Sequence, residues 1–130
     1  MEKNKLDYDD KHKVTCKNKL YILCDRKLDP IYAAVQGGHA VAKWMQYNVE
    51  IEFNKFACED QPHWKWENDY LIYLAVDIKK WWKLLNEYGA ESFEQFYEPD
   101  LDNRMTSIAV WEGGLPEVLR FKIGKEELLK

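Results

Sequence analysis

A chain of 130 residues is the usual size of one domain and long enough to enclose a single core. With 46% hydrophobic and 15% aromatic residues, among them 6 Trp and 8 Tyr, it is excluded from the disordered class outside its termini. A formal net charge of -4 argues against a protein whose main task is to grip a long nucleic-acid backbone, since phosphate neutralisation calls for a basic excess, although a local basic patch remains compatible with it.

Met1 to Lys19 is polar, mixed in charge and aperiodic, and is expected to be a poorly ordered lead-in, leaving residues 20–130 as one domain. This stretch offers no apolar segment to serve as a secretion signal, and nothing in the chain approaches the roughly 20 apolar residues that span a bilayer. Cys16, Cys24 and Cys58 form no metal or redox spacing, and their odd number argues against a disulfide framework. The expected location is the cytoplasm, with no membrane partner.

Leu20 to Cys24 (LYILC) is a short apolar run of strand formers, read as a buried strand. Asp29-Pro30 starts a helix: Asp caps free backbone N–H groups and Pro suits the first helical position. The helix is expected to run to about Tyr47, with Ile31, Ala34, Gly38, Val41 and Met45 as the stripe that packs closely on a sheet. Gly37-Gly38 costs up to about 1 kcal/mol per glycine relative to Ala, so close packing or a ligand near the backbone should offset it. Val49 to Asp69 reads as an irregular excursion, with Trp64, Trp66 and the loop residue His63 beside Pro62. Tyr70 to Val76 is a second strand, and Asp77 caps a helix that ends at Gly89, its inner face made of Trp81, Leu84, Leu85 and Tyr88. Phe93 to Tyr97 and Thr106 to Trp111 supply two more strands around the turn Glu98-Pro99-Asp100. The alternation of strands and helices predicts an α/β three-layer sandwich, a four-stranded mixed sheet flanked by helices.

Three of these segments together resemble the type 2 peptidyl-tRNA hydrolases, in particular their shorter phage and bacterial relatives. In the first, AVQGGHA matches that family's Ala-x-Gln-x-x-His-Ala helix; the second is the strand and helix from Tyr70 to Gly89; in the third, FYEPDLDNRMTSIAV is close to the family's Glu-Pro-Asp-Leu turn and Thr-containing strand. The resemblance covers most of Leu20 to Trp111. It implies the four-stranded sheet above and an enzyme that cleaves the ester between a peptide or amino acid and tRNA, without a cofactor. In the first loop the family's Arg and Asp correspond to Asp25 and Lys27, and its Lys at the helix head corresponds to Tyr32, which supplies no fixed positive charge.

Tyr32, Gln36, His39 and Lys43 share one helical face by their spacing. On the hydrolase reading His39 and Asp100 do acid-base work while Gln36 and Thr106 position the ester. Tyr32, Lys43, Arg104, Glu98 and Arg26 would bind the ligand, a tRNA 3′ end or a small nucleotide. The same spacing also describes an ordinary polar helix face, and Glu98, Asp100 and Asp102 also describe a capped, solvated turn. With no His among these acids, no metal site is expected. Trp81 and Trp82 cannot both face one core from one helix, so one of them should line a pocket or a subunit contact, and a homodimer is expected. The second functional reading is a catalytically inactive protein of the same fold that sequesters a nucleotide-like signal, as a viral counter-defence factor in a host cytoplasm would. The acidic balance, Tyr32 and the extra aromatics favour it. A third is pure protein–protein interaction through the aromatic segment.

Overall fold

Leu20–Asp25 forms β1, and all six of its residues are buried. Leu20, Ile22 and Cys24 join one apolar cluster while Tyr21 and Leu23 join another, so the strand is apolar on both faces. Such a strand is stable only inside a sheet covered on both sides. The computed structural model, which describes the backbone of residues 19–56 and 71–130 and the side chains of these except 49–56, shows that arrangement. β1 pairs in parallel with β2 (Leu71–Val76), Leu20 opposite Leu71 and Asp25 opposite Val76. On its other side β1 runs antiparallel to β4 (Arg104–Trp111), which in turn pairs antiparallel with β3 (Phe93–Glu98).

The result is an α/β sandwich built on a mixed sheet of five strands in the order β3-β4-β1-β2-β5. The sequence pattern accounts for four of them. The fifth, β5 (Glu127–Leu128), is a two-residue strand on the outer edge of β2, both residues exposed, and is too short to leave an alternation in the sequence. Residues 1–18 of the expected lead-in, the start of the second strand at Tyr70, and Cys58, His63, Trp64 and Trp66 lie outside the described residues, while Lys19 accepts the Glu112 N–H at 2.8 Å through its carbonyl. No helix of the described residues is long and apolar enough to cross a membrane.

α1 (Pro30–Phe56) is longer than the sequence suggests and covers one face of the sheet. Asp29 caps it, its carboxylate accepting from the backbone N–H of Ile31 at 3.2 Å and of Tyr32 at 3.5 Å. Its buried side is Ala33, Gln36, Gly37, Ala40, Trp44 and Asn48, one residue removed from the expected stripe. Ile31 is 78% exposed and Gly38 faces open space, while Ala34, Val41 and Met45 only flank the contact. Counting apolar residues selected the neighbouring row because the buried row contains a glutamine.

Gly37, not Gly38, is where the helix comes closest to the sheet. A Cβ there would lie 2.6 Å from Ile22 Cγ2 and 2.8 Å from Tyr73 Cε2. Gly37→Ala is therefore expected to destabilise by about 1–3 kcal/mol through overpacking, despite the better helix propensity of Ala. Gly38→Ala meets nothing and should stabilise by about 0.5–1 kcal/mol. Urea midpoints for the pair check this, and a Gly37→Ala protein as stable as the parent would show that α1 does not sit this close to β1.

α2 (Ile78–Glu87) and α3 (Glu117–Ile123) cover the opposite face. Asp77 caps α2 by accepting from the Lys80 N–H at 3.3 Å. The helix ends where Gly89, at φ 69°, takes the left-handed conformation that lets Ala90 N–H reach Leu85 O at 2.9 Å. Trp81 is buried on α2 and donates through Nε1 to Glu126 Oε2 at 2.7 Å, whereas Trp82 points outward. The helix after β1 thus lies on one face and the helix after β2 on the other, so beyond the paired carboxyl ends of these strands the chain departs to opposite sides of a crevice.

Candidate functional site

The β3–β4 connection delivers most of the candidate side chains. β3 runs into a short 3-10 turn, Pro99–Leu101, after which Asp102 (φ 55°) and Asn103 (φ 58°) are both left-handed, a conformation that Asp and Asn tolerate. Asn103 N–H closes the turn onto Glu98 O at 3.0 Å. Glu98 and Thr106 are thereby carried to the start of α1.

Gln36 lies between them, only 1% exposed. Thr106 Oγ1 donates to its Oε1 at 2.8 Å, and its Nε2 donates to Glu98 Oε2 at 2.8 Å. Ser107 Oγ also donates to the Gln36 backbone carbonyl at 2.6 Å, a contact on which the sequence reading was silent. The other oxygen of Glu98 accepts the backbone N–H of Asp100 at 3.3 Å. One chain of hydrogen bonds thus runs Thr106, Gln36, Glu98, Asp100, joining segments 62 and 70 residues apart. The buried amide needs these partners, because an unsatisfied one costs about 1–3 kcal/mol.

Asp100 itself is exposed, and its carboxylate has no hydrogen-bond or ion-pair partner among the described residues. Tyr32, half-buried on the first turns of α1, shares this neighbourhood. Desolvation, then the negative charges of Glu98 and Asp100, raise the pKa of its hydroxyl, which keeps it a hydrogen-bond donor through the neutral range.

Beside this network Arg104 Nη2 donates to Asp25 Oδ2 at 2.5 Å. Asp25, at the end of β1, also accepts the Lys27 N–H through Oδ1 at 3.0 Å. The sequence pattern alone assigns this aspartate no role; its burial at the end of a buried strand is the signal that marks it. Arg104 and Arg26 line a cavity of about 500 Å³ at the carboxyl ends of β1 and β2.

Two of the candidates stand apart. His39 is exposed, its ring stacked on Phe96 with centroids 4.7 Å apart, and no hydrogen bond joins it to Asp100. Lys43 donates to Gln95 O at 3.2 Å and sits 3.8 Å from Glu94, clamping α1 to β3. The helical face expected to hold Tyr32, Gln36, His39 and Lys43 is therefore divided: Gln36 points at the sheet and the others toward solvent. Cys24 is buried beneath α1, and burial pushes its thiol up to about 12, so it supplies no thiolate nucleophile at neutral pH.

No family model, no curated protein and no solved structure matches this chain.

Proposed function

We propose that the protein is a peptidyl-tRNA hydrolase-like domain that hydrolyses the ester between a peptide or amino acid and the ribose of tRNA. The observation that carries this reading is the hydrogen-bond chain from Thr106 through Gln36 and Glu98 to the Asp100 backbone. It unites the two motifs on which the resemblance rests, the Gln-x-x-His-Ala helix and the Glu-Pro-Asp-Leu turn, and it ends on the backbone N–H of Asp100, whose carboxylate has no partner among the described residues.

In this scheme Asp100 takes a proton from a water whose oxygen bonds to the ester carbonyl carbon. The acyl–oxygen bond then breaks, and the ribose oxygen leaves with the proton that Asp100 returns. Products are a free carboxylic acid and deacylated tRNA. The Tyr32 hydroxyl donates to the oxygen that gains negative charge. Gln36 and Thr106 do not touch substrate; they hold Glu98, which holds the turn. His39 is the alternative base, one helical turn beyond Gln36.

A second reading is capture of a nucleotide-like ligand without chemistry, and Tyr32 at the position of the family's Lys supports it, since an aromatic ring can stack on a base. One experiment separates the two. The full-length protein is incubated with aminoacyl- and peptidyl-tRNA, and released acid is measured; it is also denatured after exposure to a nucleotide mixture, and the recovered ligand is analysed. Release with multiple turnovers supports the hydrolase. Intact nucleotide in stoichiometric amounts with no ester cleavage overturns it in favour of capture.

A further inference from the structure

We propose that the protein carries a second site, a trough that binds the phosphodiester backbone of single-stranded RNA, running from the carboxyl ends of β1 and β2 along the outer side of α2. The choice of RNA rests on the hydrolase reading; the trough itself does not. Its inner part is the cavity of about 500 Å³ lined by Arg26, Lys27, Lys79 and Arg104. Its outer part, a cavity of about 900 Å³, is lined by Lys80, Lys83 and Trp82 and shares Lys27, Asp77 and Lys79 with the inner one, so the two are continuous.

The position is the one that α/β topology leaves open. α1 follows β1 onto one face and α2 follows β2 onto the other, so the backbone parts at the carboxyl ends of this parallel pair, the place where open α/β sheets take ligands. Arg26 N–H bonds to Val76 O at 2.9 Å and fixes the floor of the crevice.

The charge here runs against the rest of the molecule. The trough holds six of the chain's 19 Lys and Arg but only three of its 23 Asp and Glu, namely Asp25, Asp77 and Glu87, so it is positive on a chain that is negative overall. Ion pairs do not explain the excess: among the described residues Lys43–Glu94 and Arg104–Asp25 are the salt bridges, and Arg26, Lys27, Lys79, Lys80 and Lys83 take part in neither. Helix stability does not explain it either. Lys79 and Lys80 stand in the first turn of α2, where the helix dipole disfavours cations, and the one acid beside them, Asp77, uses its carboxylate to cap the helix through the Lys80 N–H. Lysines kept against the dipole suit an anion brought from outside.

The occupant is extended. α2 alone is about 15 Å long, and its Lys79 and Lys83 lie one turn apart, about 6 Å at Cβ, so the row meets successive negative charges. Trp82, 37% exposed beside this row while Trp81 is in the core, offers a ring on which a base can stack.

The test is fluorescence anisotropy with a labelled, deacylated single-stranded RNA of about 8 nucleotides. The parent protein should bind, and the double variant Lys79→Glu, Lys83→Glu should weaken binding by roughly 10- to 50-fold while lowering the salt slope by about 1.4, the value for two lost single-strand phosphate contacts. Trp82→Ala should weaken it by about tenfold. All three side chains are exposed, Lys79→Glu favours the helix dipole and Lys83 stands in mid-helix, so the melting temperature should stay close to that of the parent. No RNA binding at low salt, binding that survives the charge reversal, or competition by a mononucleotide or a polyglutamate peptide at equal concentration would overturn the trough. Because the probe carries no acyl ester, its binding is read independently of hydrolysis: RNA binding with no acid released from aminoacyl- or peptidyl-tRNA upholds the trough and removes the hydrolase reading, whereas hydrolysis with an inert trough does the reverse.

Discussion

Trp44→Ala is expected to lower the stability of the domain by about 3–5 kcal/mol, the loss typical of a large buried aromatic. Trp44 has no exposed surface and belongs to the cluster of Leu20, Ile22, Cys24, Ala33, Ala40 and Ala109 that seals α1 to the sheet. It is more than a filler of space. Its Nε1 donates to Ser92 O at 2.9 Å, fixing the residue before β3 in its left-handed conformation (φ 59°), and its own carbonyl accepts from Asn48 Nδ2 at 2.8 Å. Truncation removes the contact area, leaves a cavity and strips the Ser92 carbonyl of a partner. A domain of this size has about 5–15 kcal/mol in all, so the variant should sit close to unfolding at room temperature. Trp44→Phe keeps most of the area and should lose far less, about 0.5–1.5 kcal/mol for the hydrogen bond beyond the small volume change. Trp82→Ala, on the exposed side of α2, should stay within about 0.5 kcal/mol of the parent. Far-ultraviolet circular dichroism during urea unfolding measures all three. A parent-like midpoint for Trp44→Ala would mean that α1 presents another face to the sheet.

That face is where the sequence was least legible, and the reason is chemical. β1 stands out as an apolar run because both of its faces are covered, β2 because Leu74 and Val76 enter the core while Tyr73 packs under α1, and Asp77 with Gly89 marks the ends of α2 through caps that any helix of that length needs. In α1 the buried row carries Gln36 and Gly37, one polar and one without a side chain, so counting hydrophobic residues shifts the stripe by one position and sends Gly38 to the sheet in place of Gly37. Gln36 is admitted to the interior only because Glu98 and Thr106 satisfy both ends of its amide, and they come from a hairpin far along the chain. No local pattern contains that fact; the resemblance named the two motifs, but nothing in their spacing places them in contact. The basic trough was hidden for a similar reason. Its cations come from the loop after β1, from α2 and from the first residue of β4, and no window of the sequence collects them.

Asp100→Asn is expected to slow release of tRNA from a peptidyl- or aminoacyl-tRNA by about 100-fold or more, the usual loss for a general base, with the melting temperature unchanged. The substitution keeps the size of the side chain and removes only its capacity to accept a proton. Folding should not notice, because the contact that Asp100 supplies to the structure is its backbone N–H to Glu98 Oε1, which Asn also offers. His39→Ala should cost less than Asp100→Asn. An imidazole acting as base is normally oriented by a third group, and His39 has for its neighbour only the ring of Phe96, which fixes the plane but neither nitrogen. Asp100 is oriented instead through its main chain by Glu98, which Gln36 and Thr106 hold in turn. The two variants are compared at saturating and at low substrate, with melting temperatures measured alongside. A fall in kcat confined to Asp100→Asn assigns the proton transfer to the carboxylate. If His39→Ala is the more damaging change, the base lies one turn farther along α1 and the hydrogen-bond chain is only a clamp between helix and hairpin; if neither variant alters the rate, the site is not the seat of hydrolysis.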